Sequence, residues 1–305
     1  MAIGEHLTQF GGFDVTAWRP GEALPDPAMQ IARLFVEWDD EQSWVEQFRA
    51  FLELPGVERT RGLVVGWWGV DDSEAEPVDV VEALAGARER LPELHVLFFG
   101  DVTYEENEVS WIQNTDLSPL LAAYPRLTHL GVRGGNGLTL GPLRSDALRH
   151  LVIQAGGLSS DVVREVMTAD LPNLEHLEVY LGTENYGSTA TVEDLTPILD
   201  GARFPKLRYL GLKDSDHQDQ IAQVLADAPV LDGLHTLDLS LGTLSDEGAA
   251  ALVTSERVRR LQRLDLQHHF CTPEMMARLE ALGIEVDLGD AQDPDDEWRF
   301  VALGE

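Results

Sequence analysis

Three histidines stand at one place in a recurring hexapeptide, at His129 in Leu127–Val132, His150 in Leu148–Ile153 and His176 in Leu174–Val179. Imidazole is the commonest metal ligand and titrates near neutral pH. A row of three could therefore bind an ion, move a proton or recognise a partner. Glu178 and Asp101 are the carboxylates that could join them. A straight row does not by itself make a zinc site, because zinc needs tetrahedral closure at about 2.0–2.1 Å. Two readings stand beside the metal site on His129, His150 and His176: a partner-binding surface, and a stacked ladder that serves only the sheet. Other catalytic templates fail. There is no G-x-S-x-G elbow and no Walker loop, and Gly134-Gly135-Asn136-Gly137 is not followed by G-K-[ST]. Cys271 follows His268 and His269 closely but takes the place of an inward apolar residue, which suits a buried structural thiol. The adjacent pair His268–His269 would face opposite ways on a strand, which favours a structural or edge role over shared metal ligation. No catalytic residue and no cofactor is assigned, and the chain reads as a non-enzymatic protein.

The elements that position these side chains follow from the hexapeptide itself. L-x-x-L-x-[LVI] recurs with first leucines at Leu127, Leu148, Leu174, Leu207, Leu234 and Leu261, after a degenerate copy at Leu94. A phrase repeated at this period predicts a stacked solenoid with one short strand per repeat. The leucines point to the core, and the third, fifth and seventh positions point to the other face of a parallel sheet. The third-position column reads Val96, His129, His150, His176, Tyr209, Thr236, Arg263. Glu178, Asp238 and Asp265 stand in the fifth, and Arg133, Gln154, Tyr180 and Lys213 in the seventh. The expected partner-binding set is His129, Arg133, His150, Gln154, His176, Glu178, Tyr180, Tyr209, Lys213 and Asp238.

Residues 1–30, turn-rich at Gly11-Gly12 and around Pro20, Pro25 and Pro27, read as an N-terminal cap. The solenoid spans 31–288, with divergent repeats over 31–93 and regular ones over 94–288. The acidic segment 289–305 reads as a C-terminal cap or tail, with Trp298–Ala302 folding back. Helices are expected at 41–54, 78–91, 159–169, 191–200, 218–227, 245–254 and 273–282, with a short one opened by Pro119. The stretch from Arg133 to Ala147 has too much Gly and Pro for a helix. The long connection 100–117 carries Asp101, Glu105 and Trp111. It could lean over the sheet and present an aromatic anchor with acceptors, or Trp111 could fill the loop's own core.

The formal net charge is −32 over 305 residues, with Lys206 and Lys213 the only lysines. Such a surface repels phosphate backbones and has no basic stripe, which excludes nucleic acid as a partner. It suits a protein or peptide partner of basic character, or is simply well solvated. No run approaches the roughly 18 apolar residues of a membrane span. Residues 1–20 lack a basic start and a long apolar segment, so no secretory signal is read there. With Cys271 as the sole cysteine no intrachain disulfide forms, and a cytoplasmic location is expected.

The repeat followed by a turn and a helix resembles the leucine-rich repeat. The segment Leu237–Leu252 is most similar to the ribonuclease-inhibitor subtype, which implies an α/β horseshoe with a parallel concave sheet and convex helices. The subtype's Asn or Cys at the turn is replaced here by Val102, Gly135, Gly156, Gly182, Ser215, Gly242 and His269, so its Asn ladder must find substitutes. The stretches GDVTYEENEVSWIQNTDLSPLL, GVRGGNGLTLGPL, LSLGTLSDEGA and LDLQHH resemble an uncharacterised family of bacterial leucine-rich-repeat proteins. That resemblance implies a cytosolic protein, encoded beside modifying enzymes, and supplies no catalytic residue.

Overall fold

The computed structural model describes residues 3–69 and 76–304. Residues 1–2 of the expected N-terminal cap and 305 of the tail lie outside the described residues, as does 70–75. Among the described residues one twelve-stranded sheet runs in chain order. Its strands are β1 (Gln9–Phe10), β2 (Phe13–Ala17), β3 (Gln30–Leu34), β4 (Gly62–Val65), β5 (Val96–Phe99) and β6 (His129–Arg133). They continue as β7 (His150–Gln154), β8 (His176–Gly182), β9 (Tyr209–Ser215), β10 (Thr236–Asp238), β11 (Arg263–Asp265) and β12 (Glu285–Asp287). β1 pairs antiparallel with β2, and the pairings from β2 to β12 are parallel. This is an α/β leucine-rich-repeat solenoid.

The hexapeptide fixes the register. Leu130, Leu151, Leu177 and Leu210 stand opposite one another on successive strands and are buried in the main core. β7 alternates half-buried and buried residues, as a strand with one covered face must.

The helices are α1 (Trp44–Leu52), α2 (Pro77–Gly86), α3 (Ser118–Ala123), α4 (Ser160–Met167), α5 (Gln218–Ala226), α6 (Asp246–Thr254) and α7 (Pro273–Glu280). Ser43, Ser159, Ser245 and Thr272 cap α1, α4, α6 and α7 through side-chain oxygens that accept backbone N–H groups. The α-helix expected over 191–200 is instead a 3-10 helix, Val192–Ile198, with Pro197 inside it. Proline lacks the N–H an α-helix needs at that point. No helix joins β6 to β7, as the Gly- and Pro-rich spacing requires.

At the eighth repeat position Gly134, Asp214, Leu241 and His268 take φ of 98°, 56°, 69° and 60°. The chain thus takes a left-handed residue at or near the end of several strands, even where that residue is not glycine. The missing Asn ladder is replaced piecemeal. Asn114 Nδ2 donates to the carbonyls of Arg133 and Gly134 at 3.0 and 2.9 Å. Gln218 Nε2 donates to Leu212 O at 3.0 Å. Thr243 Oγ1 donates to the carbonyls of Ser215 and Asp216. The fully buried His269 lies 3.3 Å through Nε2 from Leu288 O and accepts the Cys271 N–H at Nδ1, 3.1 Å.

The termini do more than close the ends. β2 extends the sheet, and buried Trp18 packs edge-on against Phe51 over the first core layer. Residues 3–13 then curl across the concave face. Phe10 reaches Phe98 on β5 and His129 on β6, ring centroids 5.2 and 6.3 Å away. Parallel strands lie about 4.8 Å apart, so a flat edge hairpin could not reach that far. At the other end Val301–Leu303 is buried against the C-terminal ends of β9 to β11, while Trp298 stays exposed.

Candidate functional site

The third-position column forms a stack of rings. His129 and His150 lie 4.2 Å apart at 13°, His150 and His176 5.2 Å at 21°, and His176 and Tyr209 4.0 Å at 8°. In-register pairing places each ring over the next. Face-to-face stacking spreads the ring nitrogens along the sheet rather than aiming them at one point. Among the described residues no group of three or more His, Cys, Asp or Glu side chains is placed to hold a metal ion.

Burial, followed by the like charges of His150 and His176, pushes the His129 pKa down to about 4. Burial and His176 lower that of His150 as well. Neutral rings stack without mutual repulsion. His129 Nδ1 lies 2.9 Å from the Thr128 hydroxyl, and Phe10 stands edge-on to its ring. Gly11 passes so close that a Cβ there would sit 2.7 Å from a methyl of Val96, and its φ is 59°. Phe10 and Gly11 thus lean on the first ring of the ladder, and His129, His150, His176 and Tyr209 are all half-buried.

Beside the ladder lies a charged cluster on β8, β9 and β10. Lys213 Nζ is 3.1 Å from Asp238 and 3.6 Å from Glu178, and stands over the Tyr180 ring. The Tyr209 hydroxyl donates to Asp238 at 2.5 Å, and His176 Nε2 is 3.4 Å from Glu178. Burial would raise the Glu178 pKa, but the His176 bond and the Lys213 charge outweigh it and hold the carboxyl below its usual range. Burial would lower the Lys213 pKa, and Glu178, Tyr180 and Asp238 outweigh that in turn, so the ammonium persists. Burial, with Glu178 and Asp238 nearby, pushes the Tyr209 phenol far up and keeps it a donor. Further along, Arg263 engages Asp265, Asp287 and Glu285.

The ten expected contact residues do not share one environment. His150, Gln154, His176, Glu178, Tyr209 and Lys213 are half-buried on the open part of the face. Arg133, only 2% exposed, is turned inward: its guanidinium donates to Val102 O at 2.6 Å and Gln154 at 2.9 Å, and meets Asp101 at 3.3 Å. Tyr180, 8% exposed, is covered by Val109 and Leu303, and Asp238 is buried beneath Lys213. Asp101 is fully buried between Arg33 and Arg133 and accepts the Leu7 N–H at 3.1 Å. Burial would raise its pKa, but the His6 bond and the two arginines hold it below the usual range. In the long connection Val102, Val109 and Ile112 are buried while Glu105 is exposed and Trp111 is 64% exposed, so Trp111 does not fill the loop's core. The sequence pattern marks both terminal segments as caps but does not single out His6, Arg33 or Asp214. Their one legible signal is that Asp101 and Asp214 occupy the same eighth repeat position.

No family model and no curated protein matches the chain. A solved protein from Bacteroides fragilis is similar at 29% identity and a TM-score of 0.82, over 90% of this chain and 77% of that one. An internalin from Listeria monocytogenes aligns at 17% identity with a TM-score of 0.37, over 85% of this chain and 53% of that one.

Proposed function

We propose that the protein is a non-enzymatic binding scaffold that holds a protein or peptide partner on the open part of its concave face. The observation that carries this reading is the continuous row of His150, His176 and Tyr209, stacked yet only half-buried, beside the Glu178–Lys213–Asp238 cluster. Stacking fixes the rings before a partner arrives, so little side-chain freedom is lost on binding. The ring nitrogens and flanking carboxylates offer acceptors and donors at strand spacing. Surplus carboxylates on β8, β10, β11 and β12, and the overall charge, favour a basic partner over nucleic acid. Full helices at α5 to α7 support the ribonuclease-inhibitor subtype for the later repeats. The lone buried thiol of Cys271, whose pKa burial raises to about 12, suits a reducing compartment such as the cytoplasm. Among the described residues no helix is long and apolar enough to cross a membrane.

Affinity purification of the tagged chain from its native host, beside a His150→Ala/His176→Ala double variant, tests the reading. A partner recovered with the parent chain and lost from the folded variant is the expected result. Equal recovery by both overturns the assignment of the ladder.

A further inference from the structure

The two chain ends are held by one device used twice. Asp101 and Asp214 occupy the eighth position of their repeats, the first just past β5 and the second near the end of β9, and both are fully buried. Each accepts the backbone N–H of a leucine from a terminal segment: Leu7 at 3.1 Å and Leu303 at 2.8 Å. Each segment has further anchors: His6 faces Asp101 and Glu106, Phe10 packs on Phe98, and Arg299 reaches Asp219. Tyr104 N–H donates to Ile3 O at 2.9 Å, and Ala302 N–H to Leu241 O at 2.8 Å. His268 Nε2 lies 3.0 Å from Phe300 O. The segments share one apolar cluster separate from the main core, in which Ile3 and Leu241 pack against buried Val109, Tyr180 and Leu303. That cluster is complete only when both ends are seated.

We infer that the two termini form a single clasp, in which the seating of each arm depends on the other and closure covers Tyr180 at the edge of the concave face. This goes beyond the scaffold reading and stands without it. Ile3 packs against the cluster of Val109, Tyr180 and Leu303, so loss of either Ile3 or Leu303 strips cover from the cluster that seats the other. Coupling of this kind is reciprocal, so loosening either arm loosens the other by the same factor.

Hydrogen exchange of the 305-residue chain measures it. Leu303→Ala is expected to speed exchange of the Leu7 amide, and Ile3→Ala that of the Leu303 amide, each by about tenfold, within the range of packed-contact coupling. Amides of β7 to β10 should keep their protection in both. If each substitution speeds only its own arm, the arms are independent and the inference is overturned. Should Leu303→Ala lose protection throughout, Gly156→Ala answers the same question. Its Cβ would stand 2.8 Å from Gly304 O, which presses on the C-terminal arm from outside it. Faster exchange at Leu7 in that variant supports the clasp, and unchanged exchange there with a loosened Leu303 overturns it.

Discussion

His129 carries its proton less readily than a free histidine, and this gives the ladder a signature in stability. Burial first, then His150 and His176, lowers its pKa from 6.5 to about 4. Between those values the unfolded chain binds more protons than the folded one, so stability is complete above pH 6.5 and falls as pH drops toward 4. The contribution is on the order of 1–3 kcal/mol. His129→Phe keeps a ring beneath Phe10 and removes the titration. Urea midpoints across that window should fall less steeply for the variant than for the parent. Equal slopes would show that the ring is not desolvated in the folded protein. Asp101 makes a second prediction at this scale. Removing it leaves Arg33 and Arg133 buried without their shared counter-charge. Asp101→Ala should cost about 3–5 kcal/mol by chemical denaturation, and a loss under about 1 kcal/mol would show that water or Glu106 takes over.

Among the elements, strands were far more legible than turns. A period-two pattern with leucine at fixed positions specifies register as well as strand, because a one-residue slip would turn every leucine outward. The ladder His129–His150–His176–Tyr209 is therefore legible as a column in the repeat pattern alone. Helix ends were less so: Pro197 converts one expected α-helix to a 3-10 helix, and α1, α2, α4 and α7 are shorter than their apolar periodicity suggested. The covering of Arg133 and Tyr180 could not be read at all. It depends on contacts between Leu7 and Asp101 and between Leu303 and Asp214, 94 and 89 residues apart, which local pattern does not encode. The substitutes for the Asn ladder are likewise irregular, coming from the loop, a helix start and a turn. His269 is the clearest. Its burial lowers its pKa, in keeping with an Nδ1 that accepts the Cys271 N–H. His269→Ala should cost about 1–3 kcal/mol through the orphaned backbone groups. His269→Asn, which restores an acceptor and a donor there, should recover most of it in thermal or urea unfolding. An Asn variant no better than Ala would remove the ladder role from His269.

For the whole molecule the acid surface and the partly covered concave face act together. If the proposed partner is basic, a net charge of −32 steers it over long range, and association should slow steeply as salt shortens the Debye length. The N-terminal segment packs on the concave side of β3 to β5, through Leu7, Phe10, Phe13 and Val15 against Ile31, Val64, Val96 and Phe98. The N-terminal segment does not extend over β7 to β9, where the proposed contact residues His150, His176, Tyr209 and Lys213 stand half-buried. The most direct test is hydrogen exchange across the full chain, free and with the partner recovered from the native host. The account predicts new protection at residues 150–154, 176–180 and 209–213 and none on α5 to α7. Protection confined to those convex helices, with the concave strands unchanged, would contradict it.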